Sequence, residues 1–405
     1  MRIRKGLVGL AALSALALGS LAACSGSSSS KQESSNPGDI KVWVQFSDET
    51  AEGQAWKKIV DGFNKKYEGK YKAVTEYIPR SGSGGGYEDK VNVAISTNSL
   101  PDVITLDGPN TAAYAHSKVI VPLDDYLKDA NMDDVLDSIK QQGTYDGKMY
   151  AFGYSESNVG IYYNKKMFQE AGIDLASLPT IDKPWTWSDF NAISKKLKDH
   201  FKKEAIDFRL NSMDEMLPYA YMPLLWSNDG SVVNDKGTKA EGYFNIKESA
   251  EAFKFVQNLI KEGYTTISPV EKGFETGVCP MVLSGSWTIT ALETNYKDID
   301  YGILPYLVSD KTKKLVSPTG SWQLAVTNKA KDASAAAELI KFATSTESSK
   351  VLSLGSNALP IRKSTIEAVK NEVPASVAFL MEQNAKTGHA RPVVVAYSQV
   401  SRAFQ

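Results

Sequence analysis

Strand and helix periodicities alternate between residues 40 and 106, and this alternation restricts the fold more than any other feature. Ile40-Lys41-Val42-Trp43-Val44-Gln45-Phe46 alternates apolar and polar residues as a half-buried strand does. From about Thr50 to Tyr67, the residues Trp56, Ile59, Val60, Phe63 and Tyr67 recur on one face of a helix. Ala73 to Ile78 predicts a second strand, and Pro101 to Leu106 a short buried third. Strand, helix, strand, helix, strand predicts an α/β fold with a parallel sheet and helices on its faces.

The middle of the chain is richer in helix. Thr186-Trp187-Ser188-Asp189 has the form of a capping box with Asp in place of Glu, and Phe190, Ile193, Leu197 and Phe201 then share a face. Phe244 to Ile260 and Asp332 to Phe342 predict further amphipathic helices, and strand-like runs return at Met281 to Leu283, Tyr301 to Leu304 and Gln323 to Val326. A chain of 405 residues suits two domains of about 150 residues, or one large bilobal unit.

The first 38 residues have a different character. Arg2, Arg4 and Lys5 precede an uncharged run, Gly6 to Ala22, that is too rich in Ala and Gly for a comfortable membrane span of about 20 residues. The pattern predicts a secretory signal sequence over residues 1–23. Its end, Leu21-Ala22-Ala23-Cys24, resembles the lipobox of bacterial lipoproteins, which implies cleavage before Cys24 and lipidation of that thiol. An ordinary cleavage site beside a chance cysteine is the competing reading. Residues 24–38 offer nothing to pack and predict a flexible Ser-rich tether. The expected location is therefore the extracellular face of the cell membrane, held by a lipid. Losing Arg2, Arg4 and Lys5 leaves the remainder more acidic than the whole chain's net −1, which argues against a nucleic-acid partner. Cys24 and Cys279 are the two cysteines, so once Cys24 is lipidated no disulfide is available, and Cys279 is expected to be a buried, inert thiol.

Signatures of catalysis are missing. Gly82-Ser83-Gly84-Gly85-Gly86 leads into Tyr87-Glu88 and is no phosphate cradle, and neither G-x-S-x-G nor H-E-x-x-H occurs. His116, His200 and His389 are far apart, and no cluster of metal-ligand residues stands out. No cofactor and no metal are expected. A secreted glycosidase, needing two carboxylates about 5–9.5 Å apart, stays open because such a spacing cannot be read from sequence.

Several stretches, in order, resemble one family, the extracellular solute-binding proteins of carbohydrate ABC importers. They are Leu100-Pro101-Asp102-Val103, Val121-Pro122-Leu123-Asp124, Asp146-Gly147-Lys148-Met149-Tyr150-Ala151, Ile161-Tyr162-Tyr163-Asn164-Lys165, Pro184-Trp185-Thr186-Trp187, Leu225-Trp226-Ser227-Asn228-Asp229-Gly230, Ser284-Gly285-Ser286-Trp287 and Leu359-Pro360-Ile361-Arg362-Lys363-Ser364. The resemblance implies a two-lobed, type II periplasmic-binding-protein-like fold with the ligand in the inter-lobe cleft. It places residues 39–154 and 306–328 in an N-terminal lobe and 155–305 and 329–405 in a C-terminal lobe, with crossings near Gly153-Tyr154, Pro305 and Asn328. It further implies a monomer that passes a mono- or oligosaccharide to ABC transporter permease subunits. A non-sugar ligand is the alternative within the same fold. The family continues with a long helix past the equivalent of Phe404, so a truncated C-terminus is a further expectation.

A sugar offers C–H faces to aromatic plates and hydroxyl edges to planar polar groups. Trp287, after a short strand, matches the family's sugar-stacking aromatic, and Trp322 lies in a loop that lines the family's cleft; a core plug is the competing reading for each. Trp226 reads equally as cleft or core. Trp56 reads as core, Trp187 as structural, and Trp43 is undecided. The resemblance makes Asp107 and Asn110 hydroxyl binders, although Asp107-Gly108-Pro109-Asn110 also reads as a helix-capping turn. Glu156, Ser157 and Asn158 stand at the first expected crossing. Gln45, Phe46 and Ser47 end the first strand, and Arg80 and Tyr87 flank the Gly-rich loop.

Overall fold

The computed structural model describes residues 38–80, 86–212 and 214–405. The signal sequence, Cys24, the tether up to residue 37 and residues 81–85 of the Gly-rich loop lie outside the described residues. Among the described residues nine strands, numbered in chain order, make two larger sheets: β1 (Ile40–Val44), β2 (Ala73–Tyr77), β3 (Val103–Asp107), β4 (Phe152–Ser155), β5 (Val159–Asn164), β6 (Ile206–Asp207), β7 (Met281–Gly285), β8 (Tyr301–Leu304) and β9 (Trp322–Val326). Both sheets belong to a single compact unit.

Local chemistry sets these elements. The Ala51–Lys66 helix starts at Thr50, whose Oγ1 accepts the Gly53 N–H at 3.0 Å and so satisfies one of the free donors of the first turn. Its expected apolar face is buried at Trp56, Ile59, Val60 and Phe63. The capping box before the Trp187–Phe201 helix forms as expected: Asp189 N–H donates to Thr186 Oγ1 at 3.1 Å, and Thr186 N–H donates to the Asp189 carboxylate at 3.0 Å. Trp187 stacks on Phe255 and is structural.

The first sheet runs β2-β1-β3-β9-β4. β1 is parallel to β2 and β3, as the alternating pattern predicts, but β9 enters antiparallel between β3 and β4, so the sheet is mixed. The second runs β8-β5-β7-β6, with β5 antiparallel to both neighbours. Each sheet has its own core. Val42, Val44, Phe63, Val103 and Leu324 fill the first. Phe168, Phe190, Leu197, Met281 and Leu283 pack on one face of the second, and Tyr162, Val282 and Leu380 on its other face.

Three segments cross between the sheets. β4 passes into β5 through Glu156–Asn158, just beyond the expected Gly153-Tyr154. Ser317–Thr319 precedes β9, with Thr319 bridging Asn158, and Leu359 bridges Glu156. The second and third crossings differ from expectation: Tyr306, Leu307 and Val316 pack in the second core, so the chain returns at Ser317–Thr319 and not near Pro305. Asn328 stays with the first sheet, its side chain donating to Lys118 O. The helices Ala333–Ala343 and Thr346–Ser356 also pack there, although 329–405 was expected with the second sheet. Leu339, Ile340 and Leu352 join the first core, and Phe342 meets Phe63 edge-on at 5.7 Å. The apolar stripe of these helices needs an apolar partner, and the Ala51–Lys66 helix supplies one. Val369, Val377 and Leu380 return to the second sheet.

Candidate ligand-binding cleft

Strand direction brings the polar groups together. β1, β3 and β4 end at the edge of the first sheet where antiparallel β9 begins, and the register sets Trp322 opposite both Asp107 and Ser155. A ligand meets such sheets beyond the carboxyl ends of the strands. In the second sheet β7 ends at Gly285 and the Trp287–Asn295 helix follows directly. A cavity of about 1070 Å³ is lined by these ends from both sheets. That is roughly the upper size of small-molecule sites, with room for more than one sugar ring.

Trp287 is 50% exposed and lines the cavity. Glycine beside it leaves room for the indole, since a Cβ on Gly285 would stand 2.2 Å from the ring as placed. The Tyr219 ring, from the Met216–Ser227 helix, lies 6.3 Å away and tilted by 39°. Across the cavity the half-buried Trp322 carries the Arg80 guanidinium over its ring at 5.2 Å. Gly320 permits the close approach of Tyr219, because a Cβ there would meet that ring at 2.8 Å. Ser157 Oγ donates to Gly320 O at 2.8 Å and lies 2.9 Å from the Tyr219 hydroxyl, tying the first crossing to this wall.

Carboxyl groups outnumber cations. Glu49, Glu52, Asp107, Glu156, Asp214 and Glu215 line the cavity, against Arg80, Arg209 and Arg391. Each arginine already has acidic partners: Arg80 with Glu88 at 2.8 Å, Arg209 with Asp207 at 3.3 Å and Glu275 at 3.8 Å, Arg391 with Asp107 at 2.6 Å and Glu215 at 2.7 Å. Burial raises two carboxyls from the usual range to about 7. One is Glu52, where a bond from the Tyr154 hydroxyl opposes the rise. The other is Glu156, where bonds from Ser157 N–H and Ser138 oppose it. Gln45 donates to the same Tyr154 hydroxyl at 2.8 Å, while its Oε1 has no partner among the described residues.

Eight of the expected site residues thus meet at one cavity: Trp287, Trp322, Asp107, Glu156, Ser157, Gln45, Arg80 and Phe46, the last mostly buried against Tyr77. Trp226, Asn158 and Asn110 do not. Trp226 is sealed in the second core, its ring 4.2 Å from His389, because the Met216–Ser227 helix is apolar on every side from Leu217 onward. Asn158 is fully buried at the crossing, donating to Pro318 O at 2.7 Å and Ser317 Oγ at 2.9 Å and accepting from Gln383. Asn110 ends the turn Gly108–Asn110, away from the cavity, and its side chain caps nothing. Tyr87 is structural too, its buried hydroxyl donating to Thr105 O at 2.7 Å. Sequence reasoning missed Glu52, Tyr219, Glu215 and Arg391. Thr50, an N-cap in the structure, sets Glu52 in the first turn just beyond β1; nothing local marks the other three. His116 and His200 lie on helices, and Cys279 is buried as expected, its thiol pushed up to about 12 by burial. Among the described residues no group of three or more His, Cys, Asp or Glu could hold a metal, and no helix is long and apolar enough to cross a membrane.

A family model described as bacterial extracellular solute-binding protein matches residues 47–350. The chain is 24% identical over 402 residues to the diacetylchitobiose binding protein DasA of Streptomyces coelicolor, covering 94% of this chain and 87% of that one. It is 24% identical over 286 residues to the sn-glycerol-3-phosphate-binding periplasmic protein UgpB of Pectobacterium atrosepticum, covering 66% and 60%. The crystal structure of the cyclic alpha-maltosyl-1,6-maltose binding protein from Arthrobacter globiformis superposes with a TM-score of 0.77 at 23% identity, over 91% of this chain and 92% of that one.

Proposed function

This chain belongs to the bacterial extracellular solute-binding proteins and has their two-lobed, type II fold, and on that premise we propose that it captures a mono- or oligosaccharide and delivers it to an ABC importer. One observation carries the reading. Trp287 and Trp322, at strand ends of different sheets, line a single cavity together with carboxylate and amide groups able to grip hydroxyls.

The relatives include binders of sugars and of a phosphorylated polyol, and the cleft favours the uncharged class. A phosphate would need a free cation, yet each of the three cavity arginines is paired with acids. No lysine lines the cavity among the described residues.

In this reading the first lobe ends at Ser155, resumes at Trp322 and ends again at Ser356, while the second holds β5 to Val316 and the residues from Leu359 onward. Ligand contacts from both walls would favour the closed arrangement. The closed monomer would dock on permease subunits, with Cys24 lipidated after removal of residues 1–23 and residues 24–38 acting as leash on the outer face of the membrane. No cofactor takes part, and the sugar leaves chemically unchanged.

A thermal-shift screen against maltotriose, diacetylchitobiose, mannobiose and their monosaccharides tests the reading, since a tight ligand raises the melting temperature by mass action. At least one sugar should do so, and chromatography should show it intact afterwards. No shift with any sugar, or cleavage of one, would refute the proposal.

A further inference from the structure

We propose that Arg391 is the positioning residue of this cleft: it orients the Asp107 carboxylate toward the ligand and ties it to Glu215 on the facing wall. The inference rests on the sugar-binding reading.

Arg391 belongs to neither large sheet. Gly388–Ala390 pairs in parallel with Ser317–Thr319, the segment that crosses between the sheets, and so delivers the next residue into the gap. There the guanidinium is only 5% exposed. Nη2 donates to Asp107 Oδ1, at the end of β3, at 2.6 Å. Nη1 donates to Glu215 Oε2, just before the Met216–Ser227 helix, at 2.7 Å. The guanidinium also lies over the Tyr219 ring at 4.8 Å.

The two carboxylates are held differently. Both oxygens of Glu215 are occupied, Oε2 also by the Tyr397 hydroxyl at 2.7 Å and Oε1 by Ser401. Glu215 is therefore an anchor. Asp107 has its Oδ1 bonded to Arg391, and among the described residues nothing bonds its Oδ2. The bond fixes the plane of the carboxylate and leaves one strong acceptor for a sugar hydroxyl. Holding that acceptor in place before the ligand arrives removes the cost of ordering it on binding. Lysine would not substitute fully, because an ammonium lacks the planar fork that reaches both acids.

The test is a double-mutant cycle by calorimetry on the full chain, using the panel sugar that binds wild-type protein most tightly. Arg391→Gln and Asp107→Asn should each weaken binding by roughly 10- to 100-fold, the range for a charged hydrogen bond. The double variant should bind no more weakly than Asp107→Asn alone, because Arg391 acts through Asp107. Arg391→Lys should recover part of the loss. Losses that add in the double variant, or unchanged affinity in Arg391→Gln, would overturn the inference while leaving the sugar reading intact. Wild-type protein that binds no panel sugar would sink the sugar reading, and this inference with it. Circular dichroism checks folding; should Arg391→Gln fail to fold, the cycle is run with Arg391→Lys.

Discussion

The Asp107 carboxylate and the Arg391 guanidinium meet at 2.6 Å across 284 residues of sequence. The contact joins the end of β3, deep in the first sheet, to a segment that follows the last short strand of the chain. It makes that late segment part of the cavity wall. Burial alone would disfavour the charge on Arg391, but Asp107, Tyr397 and Glu215 outweigh it and keep the group firmly protonated. Removing either acid would leave a buried charge short of a partner, a costly arrangement.

Two tryptophans that look alike in sequence should respond oppositely to truncation. Trp287→Ala should weaken sugar binding by about 1–3 kcal/mol with little change in melting temperature, since the indole is half exposed. Trp226→Ala should cost about 3–5 kcal/mol of stability, because it empties a closed core site beside His389. Calorimetry and denaturant unfolding on both variants separate the roles. Equal losses of affinity would remove the distinction.

Stability should fall with rising pH through Glu156. Its carboxyl titrates near 7 when folded and near the ordinary 4.5 when exposed by unfolding. Between these values the folded chain holds a proton that the unfolded chain has released. The contribution is complete below about pH 4.5 and is lost as pH rises through about 7. At about 1.36 kcal/mol per pKa unit the loss is on the order of 3 kcal/mol. Glu156→Gln carries no such proton, so urea unfolding at pH 5 and pH 8 should show a shallower pH dependence in the variant. Identical slopes in the two proteins would count against the assignment.

Anions should be rejected. sn-Glycerol 3-phosphate and inorganic phosphate are expected to leave the melting temperature unchanged at concentrations where a neutral sugar raises it. Asp107→Asn combined with Glu215→Gln frees the Arg391 guanidinium and should confer a measurable shift with phosphate. Tight phosphate binding by the wild-type chain would mean that the cavity arginines are not neutralised by their acids.

The crossing should depend on Asn158. Asn158→Ala removes its bonds to Ser317 and Pro318 and strips the Gln383 amide of an acceptor. With a cost of about 1–3 kcal/mol for a buried group left unsatisfied, the variant should unfold at clearly lower denaturant. An unchanged midpoint would show that the crossing is held elsewhere.

Much of this architecture could be read locally. The 3.6-residue rhythm of Trp56, Ile59, Val60 and Phe63 located the first helix, and the capping box at Thr186 located another within a residue. The Ser284-Gly285-Ser286-Trp287 stretch identified an aromatic that the fold leaves exposed at a strand end. Such features survive in a single sequence because they arise between residues a few positions apart. Trp226 was ambiguous, and Asn158 was wrongly expected in the cleft, for the opposite reason. Whether an indole or an amide faces solvent or core depends on which remote element covers it, here His389 for one and Gln383 for the other.

Sequence alone determined the alternation of strands and helices, the cap residues and the supply of aromatic and acidic groups, all consequences of backbone preference and short-range periodicity. Tertiary structure decided that β9 inserts antiparallel between β3 and β4, that the Ala333–Ala343 helix rests on the first sheet, and that Asp107, Glu215 and Arg391 share one buried cluster. The reason is physical: strand pairing, burial of an apolar stripe and neutralisation of a buried guanidinium are each satisfied by distant partners, and only the folded chain selects which ones.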